Sequence, residues 1–128
     1  MSAAPIHPVI DAYFAAVTAM DWDGVAACFA REIHHEDPVG SPVNRTPEAV
    51  KAFFTQIGGL LRTLDLRPRC AFRCGDEFAI PWDGQGTGRN GAQVSFEGVD
   101  VIGLDGEGRI AALRAFWDPA PVMGKLMG

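Results

Sequence analysis

The chain has 128 residues, 48% apolar and 21% charged, a size and composition that suit one compact domain and leave little room for two. Its 16 acidic and 11 basic residues give a formal charge of -5, the wrong sign for a surface that follows phosphate backbones, so nucleic acid is not an expected partner. No apolar run approaches the roughly 18 residues that span a bilayer, and the opening MSAAPIHPVID carries an acid where a secretion signal carries bases, so a soluble, cytoplasmic protein without a membrane partner is expected.

Ile6, Val9, Ile10, Tyr13, Val17 and Met20 recur at helical spacing and predict a first helix with one apolar face. Asp21 is a good N-cap for a second short helix carrying Val25, Ala26, Cys28 and Phe29. A strand is expected from Ile33 to Asp37, because Pro38 forces the preceding residue out of helical geometry, and Pro38, Gly40 and Pro42 then make a loop. Thr46-Pro47-Glu48 combines a capping hydroxyl, a proline suited to the first turn and an acid at the positive end of the dipole. The third helix it opens buries Val50, Phe53, Phe54, Ile57, Leu60 and Leu61.

After residue 62 the pattern changes to short β runs: 64–66, 70–73, 78–82, 92–104 and 109–117. The glycine-rich stretch 83–91 lacks the GK[ST] ending of a phosphate loop and is expected to be a flexible hairpin loop. Helices first and strands afterwards predict an α+β domain, three N-terminal helices packed on one side of a curved, mainly antiparallel sheet.

Three polar residues fall on faces that should be apolar. Closing the last hairpin at 105–108 with Leu104 opposite Arg109 puts Asp100 among Val94, Phe96, Ile102, Leu113 and Trp117. A carboxyl there would be desolvated and hold its proton, making it a hydrogen-bond donor; the alternative is that it reaches the rim or pairs with Arg114 or Arg73. Tyr13 lies on the buried stripe of the first helix, where it is either a core residue or a donor. Asp37 is either an ordinary Asp-Pro turn residue or a functional carboxylate.

His34 and His35 are strand neighbours and point to opposite faces, so only His35 and Asp37 share a side. Two ligands do not make a metal site, and partly exposed histidines at a strand end are expected. Cys28, Cys70 and Cys74 are an odd number without CxxC spacing, which predicts reduced packing thiols.

The segments Tyr13 to Gly24, Glu36-Asp37-Pro38-Val39-Gly40-Ser41, Phe53-Phe54, Asp100, Gly106 to Arg109 and Arg114 to Trp117 together resemble bacterial ketosteroid isomerase (steroid Δ5-isomerase). The likeness runs nearly without gaps from about residue 5 to 60 and from about 95 to 117, and is weak between. It implies the cone-shaped NTF2-like fold shared with SnoaL-like proteins, a homodimer, a hydrophobic steroid-like ketone as substrate and no cofactor. It also implies Asp37 as the base that moves a proton along the conjugated system, with Tyr13 and a protonated Asp100 donating to the ketone oxygen. Such a neutral aspartic acid in ketosteroid isomerase is itself a standard example of pKa tuning. Phe53, Phe54, Phe96 and Trp117 are the implied pocket aromatics.

The chain departs from that pattern at Phe54, where the family has a tyrosine bonded to the oxyanion-hole tyrosine, and at His35, where it has an apolar residue; His35 could lower the pKa of Asp37 or suit a more polar substrate. Alternatives of related fold are a polyketide-cyclase-like enzyme and a non-catalytic binder of hydrophobic ligands. An epoxide hydrolase would need an Asp-Arg-Asp cluster, and Arg114 is expected on the face opposite Asp100.

Overall fold

A computed structural model describes residues 3–128. Helix α1 spans Pro8–Thr18 and α2 spans Trp22–Ala27, the second capped by Asp21, whose Oδ1 accepts from the Gly24 N–H at 3.0 Å. Strand β1, Phe29–Glu36, begins earlier than expected and takes Phe29 out of the helix. Helix α3, Pro47–Gly58, starts where the cap predicts, with Thr46 Oγ1 accepting from the Ala49 N–H at 3.2 Å. The sheet continues with β2 (Leu61–Pro68), β3 (Phe72–Cys74), β4 (Glu77–Gly88), β5 (Gln93–Leu104) and β6 (Ile110–Phe116), and a further helix, α4 (Ala120–Leu126), follows.

The sheet runs β1-β6-β5-β4-β2, with β3 also pairing β4. All pairs are antiparallel except β1 with β6, so the sheet is mixed. Pro81 stands within β4 between the residues that pair β3 and those that pair β2, where the missing N–H costs the ladder least. The inward face packs on α1, α2 and α3 through Ile10, Val17, Val25, Val50, Ile80, Ile102 and Leu113. Leu61 and Val94 form a second cluster with Val122 and Leu126 of α4.

Two features differ from the sequence expectation. Residues 83–88 are not loop but the end of β4, leaving a short turn before β5. The glycines permit close approach rather than breaking the strand: a Cβ on Gly84 would lie 2.4 Å from the Phe96 ring. The final hairpin has a register shift between Gly103 and Leu104, which pairs Leu104 with Ile110 and Asp100 with Ala115. One step of offset at the turn and one at the bulge together slide the cross-strand partners of Asp100 by two, which leaves its face unchanged.

Candidate active site

Three elements bring the polar misfits together. Helix α1 presents Tyr13, the residue after β1 is Asp37, and β5 presents Asp100; all three line one cavity enclosing about 80 Å³. Trp82 of β4, Phe54 of α3, Phe96 of β5 and Trp117 line it too, and Val122, Met123 and Leu126 of α4 close it.

Each carboxyl has one indole partner. Trp82 donates its N–H to Asp100 Oδ1 at 2.9 Å, and Trp117 donates to Asp37 Oδ1 at 2.7 Å. Asp100 is 2% exposed and meets neither Arg114 nor Arg73; Arg114 lies on the outer side, 3.4 Å from Glu36. Gly98 makes room for the Trp82 indole and for the β6 backbone leading to Trp117, since a Cβ there would lie 2.5 Å from the Phe116 carbonyl oxygen, 2.7 Å from Trp82 Cζ2 and 2.8 Å from Trp117 Cβ.

Burial pushes Asp100 well above the usual carboxylate range, the charge of Asp37 adds to the rise, and the Trp82 N–H opposes it. Asp37 is raised to about 6 by burial, with the Trp117 N–H pulling it down. Burial, then the charges of Asp100 and Asp37, raise the Tyr13 hydroxyl well above its ordinary value. Burial thus opposes ionisation at all three groups and is relieved least at Tyr13 and Asp100, so Asp37 is the carboxyl disposed to ionise first as pH rises, while Tyr13 and Asp100 are disposed to keep their protons and donate.

Phe53 is placed elsewhere. It packs edge-on to His35, with ring centroids 5.3 Å apart, and does not line the cavity. His35 is fully buried rather than partly exposed, its Nδ1 3.0 Å from Asn44 Nδ2 and its Nε2 without a partner among the described residues. Burial holds its pKa down to about 4, so the ring is neutral at pH 7 and carries no charge that could lower Asp37. The fused aromatic wall of Phe29, Phe53 and Phe54 around it is the cause. Glu36 instead organises the loop after Asp37: it accepts from the Gly40 N–H at 2.8 Å and from His34 and Arg114, which hold its carboxyl down to about 2.

Sequence reasoning missed Trp82 and α4. Trp82 reads as an ordinary strand aromatic, and only the β4–β5 register, Ile80 with Asp100 and Trp82 with Gly98, reveals it as the diagonal neighbour of the acid. The signal for α4 was the spacing of Val122, Met123 and Leu126 after Pro121. Among the described residues no group of three or more potential metal ligands comes together, and no helix is long and apolar enough to cross a membrane.

The SnoaL-like domain model matches residues 10–120. The chain belongs to the SnoaL-like family. It is 27% identical over 126 residues, 94% of this chain and 95% of the other, to a steroid Δ-isomerase of Nocardioides simplex. Among solved structures it is similar to SalBIII, an epoxide hydrolase/cyclase-like enzyme in pyran ring formation in the polyether salinomycin, with TM-score 0.76 and 25% identity over 88% of this chain and 89% of that one. A protein of ketosteroid isomerase-like fold from Catenulispora acidiphila superposes with TM-score 0.84 at 14% identity, over 96% and 95% of the two chains. The fold is thus the NTF2-like α+β arrangement that the sequence led us to expect, with helices on a curved six-stranded sheet.

Proposed function

We propose that this SnoaL-like protein is an isomerase that moves a carbon–carbon double bond into conjugation with the ketone of a hydrophobic, steroid-like substrate. The observation that carries the reading is the juxtaposition of Tyr13, Asp37 and Asp100 on one apolar cavity, with burial setting the two acids apart in protonation. Ionised Asp37 removes a proton alpha to the ketone and returns it two carbons further along. The dienolate oxygen formed between these steps is met by the Tyr13 and Asp100 protons, two donors in a site that excludes water. Phe54, Phe96 and Trp117 supply the apolar surface against the substrate. No cofactor enters the scheme. The likeness to a steroid Δ-isomerase supports the same chemistry.

The test is the ultraviolet absorbance of a β,γ-unsaturated ketosteroid mixed with the protein. Growth of the conjugated-enone band with the native chain, and its loss by about 100-fold or more in Asp37→Asn, is expected of a general base. No turnover by either protein, with retained binding of a phenolic steroid, would instead make this a ligand-binding protein.

A second reading follows from the likeness to the epoxide hydrolase/cyclase-like enzyme: the carboxyl pair would then serve a ring-forming step on a polyketide-like substrate. An Asp-Arg-Asp hydrolase site is not favoured, because Arg114 lies on the outer sheet face with Glu36. The homodimer implied by the family would use that outer face, where Phe116 is 43% exposed, and sedimentation would test it.

A further inference from the structure

Trp82 has no part in the scheme above, yet its indole is buried and its N–H is aimed at the acid in β5. An indole nitrogen only donates. It therefore favours whichever carboxyl oxygen is the better acceptor, and in a neutral carboxylic acid that is the carbonyl oxygen rather than the hydroxyl. With Trp82 on Oδ1, the acid proton of Asp100 belongs on Oδ2. Oδ2 makes no hydrogen bond to protein among the described residues, and Asp100 lines the cavity.

We propose that Trp82 is a positioning residue that fixes the Asp100 proton on Oδ2, facing the cavity, so that the acid meets a substrate oxygen as a donor and never as an acceptor. The inference rests on the isomerase reading. Without the indole N–H the proton divides between the two oxygens, and each molecule with its proton on Oδ1 turns a lone pair toward the developing oxyanion. The contact acts again during reaction. As Asp100 shares its proton with the dienolate, negative charge builds on the carboxyl, and the Trp82 N–H stabilises it. The dienolate thus meets a stronger donor than an unsupported carboxylic acid.

Local architecture is built for this contact. The ring sits edge-on to Phe96 and to Trp117, with centroids 5.8 and 6.3 Å away, which fixes the plane of the indole. Opposite Trp82 in the β4–β5 ladder stands Gly98, and only a residue without a side chain lets the indole cross the strand to reach the next inward position, Asp100.

Trp82→Phe tests the assignment, and replacement of Trp82 by its sulfur isostere benzothienylalanine removes the N–H while keeping the two-ring shape if the phenylalanine variant fails to fold. The carboxylic C=O stretching band of Asp100, identified in the substrate-free protein by its disappearance in Asp100→Asn, should shift to higher frequency or split in either variant. With a β,γ-unsaturated ketone, kcat should fall about tenfold, the equivalent of one hydrogen bond, with KM nearly unchanged. Bound 2-naphthol should show a smaller ionised fraction by fluorescence. In an Asp100→Ala background the loss of the N–H should cost nothing further. An unmoved C=O band, an effect on KM alone, or an equal loss in the Asp100→Ala background would overturn the proposal and leave Trp82 a packing residue. The infrared band needs no substrate, so absence of turnover in the native protein would count against the isomerase reading while the band still decided the role of Trp82.

Discussion

Trp117 donates its indole N–H to Asp37 Oδ1 at 2.7 Å, joining residues 80 apart in sequence. Parallel pairing makes this possible: Glu36 of β1 stands opposite Arg114 of β6, so the residues leaving both strands emerge side by side. The bond stabilises the carboxylate, whereas burial destabilises it, and burial wins because Asp37 still rises to about 6. A base must be ionised, so kcat/KM should rise with pH through about 6 and then level off, since Tyr13 and Asp100 are both held above their ordinary ranges. In Trp117→Phe the opposing hydrogen bond is gone, and the rising limb should move to higher pH. A pH–rate profile for both proteins checks this, and a limb that moves down would contradict it.

Asp100 should also be visible in stability. Its folded-state pKa is raised above the unfolded value, so below about pH 4 both states are protonated and the group has no effect. Above that the unfolded chain ionises and the native one does not, and stability falls steadily as pH rises toward the folded-state pKa. Asp100→Asn keeps an acceptor for Trp82 and removes the ionisation. Its thermal midpoint should exceed the native one at pH 7 to 8, with the gap closing toward pH 4; no gap at pH 8 would mean that Asp100 is ionised in the native state.

His35 works in the opposite sense. Its folded-state pKa is depressed to about 4 from an unfolded value near 6.5, so its contribution is fully present above that unfolded value and is lost as pH falls toward 4. A shift of this size corresponds to about 3 kcal/mol. Because Asp37 and Asp100 gain stability over the same range, the effect is read as a difference: denaturant titrations at pH 7 and pH 4 should show the stability of His35→Leu relative to the native chain rising by that order as pH falls.

The cavity of about 80 Å³ is smaller than the roughly 150 Å³ that accepts benzene, so a ring ketone enters only if a wall moves. Helix α4 is the wall least tied to the rest. It has seven residues, and its last turn is held by the Asn90 carboxamide, which donates to the carbonyls of Lys125, Leu126 and Gly128 at 2.9, 3.2 and 3.1 Å. Asn90→Ala should speed ligand association several-fold in stopped-flow binding, the effect of releasing one or two exposed hydrogen bonds. An unchanged association rate would place the opening elsewhere.

Much of this site was readable in the sequence because each of its polar residues breaks a local rule. Tyr13 interrupts an apolar helix stripe and Asp100 an apolar strand face, and alternation alone survives an error in register, which is why Asp100 keeps its inward face although its partner is Ala115 rather than Leu113. Contacts set by distant strands were not readable. Trp82 finds Asp100 only once β4 and β5 are aligned, and His35 is buried because α3 lays Phe53 and Phe54 over it, neither of which leaves a mark within its own segment. The glycines of β4 misled for the same reason: their use is to admit the Phe96 ring from the neighbouring strand.

The proposed chemistry requires the two aspartic acids that share the cavity to stand in opposite protonation states at neutral pH. Carbon-13 NMR of the aspartate side-chain carboxyls, assigned with Asp37→Asn and Asp100→Asn, measures this directly across a pH titration. One step near pH 6 that vanishes in Asp37→Asn is expected, with an Asp100 signal that keeps the shift of a protonated acid well beyond it. An Asp100 signal already ionised at pH 7, or ionising before that of Asp37, would contradict it.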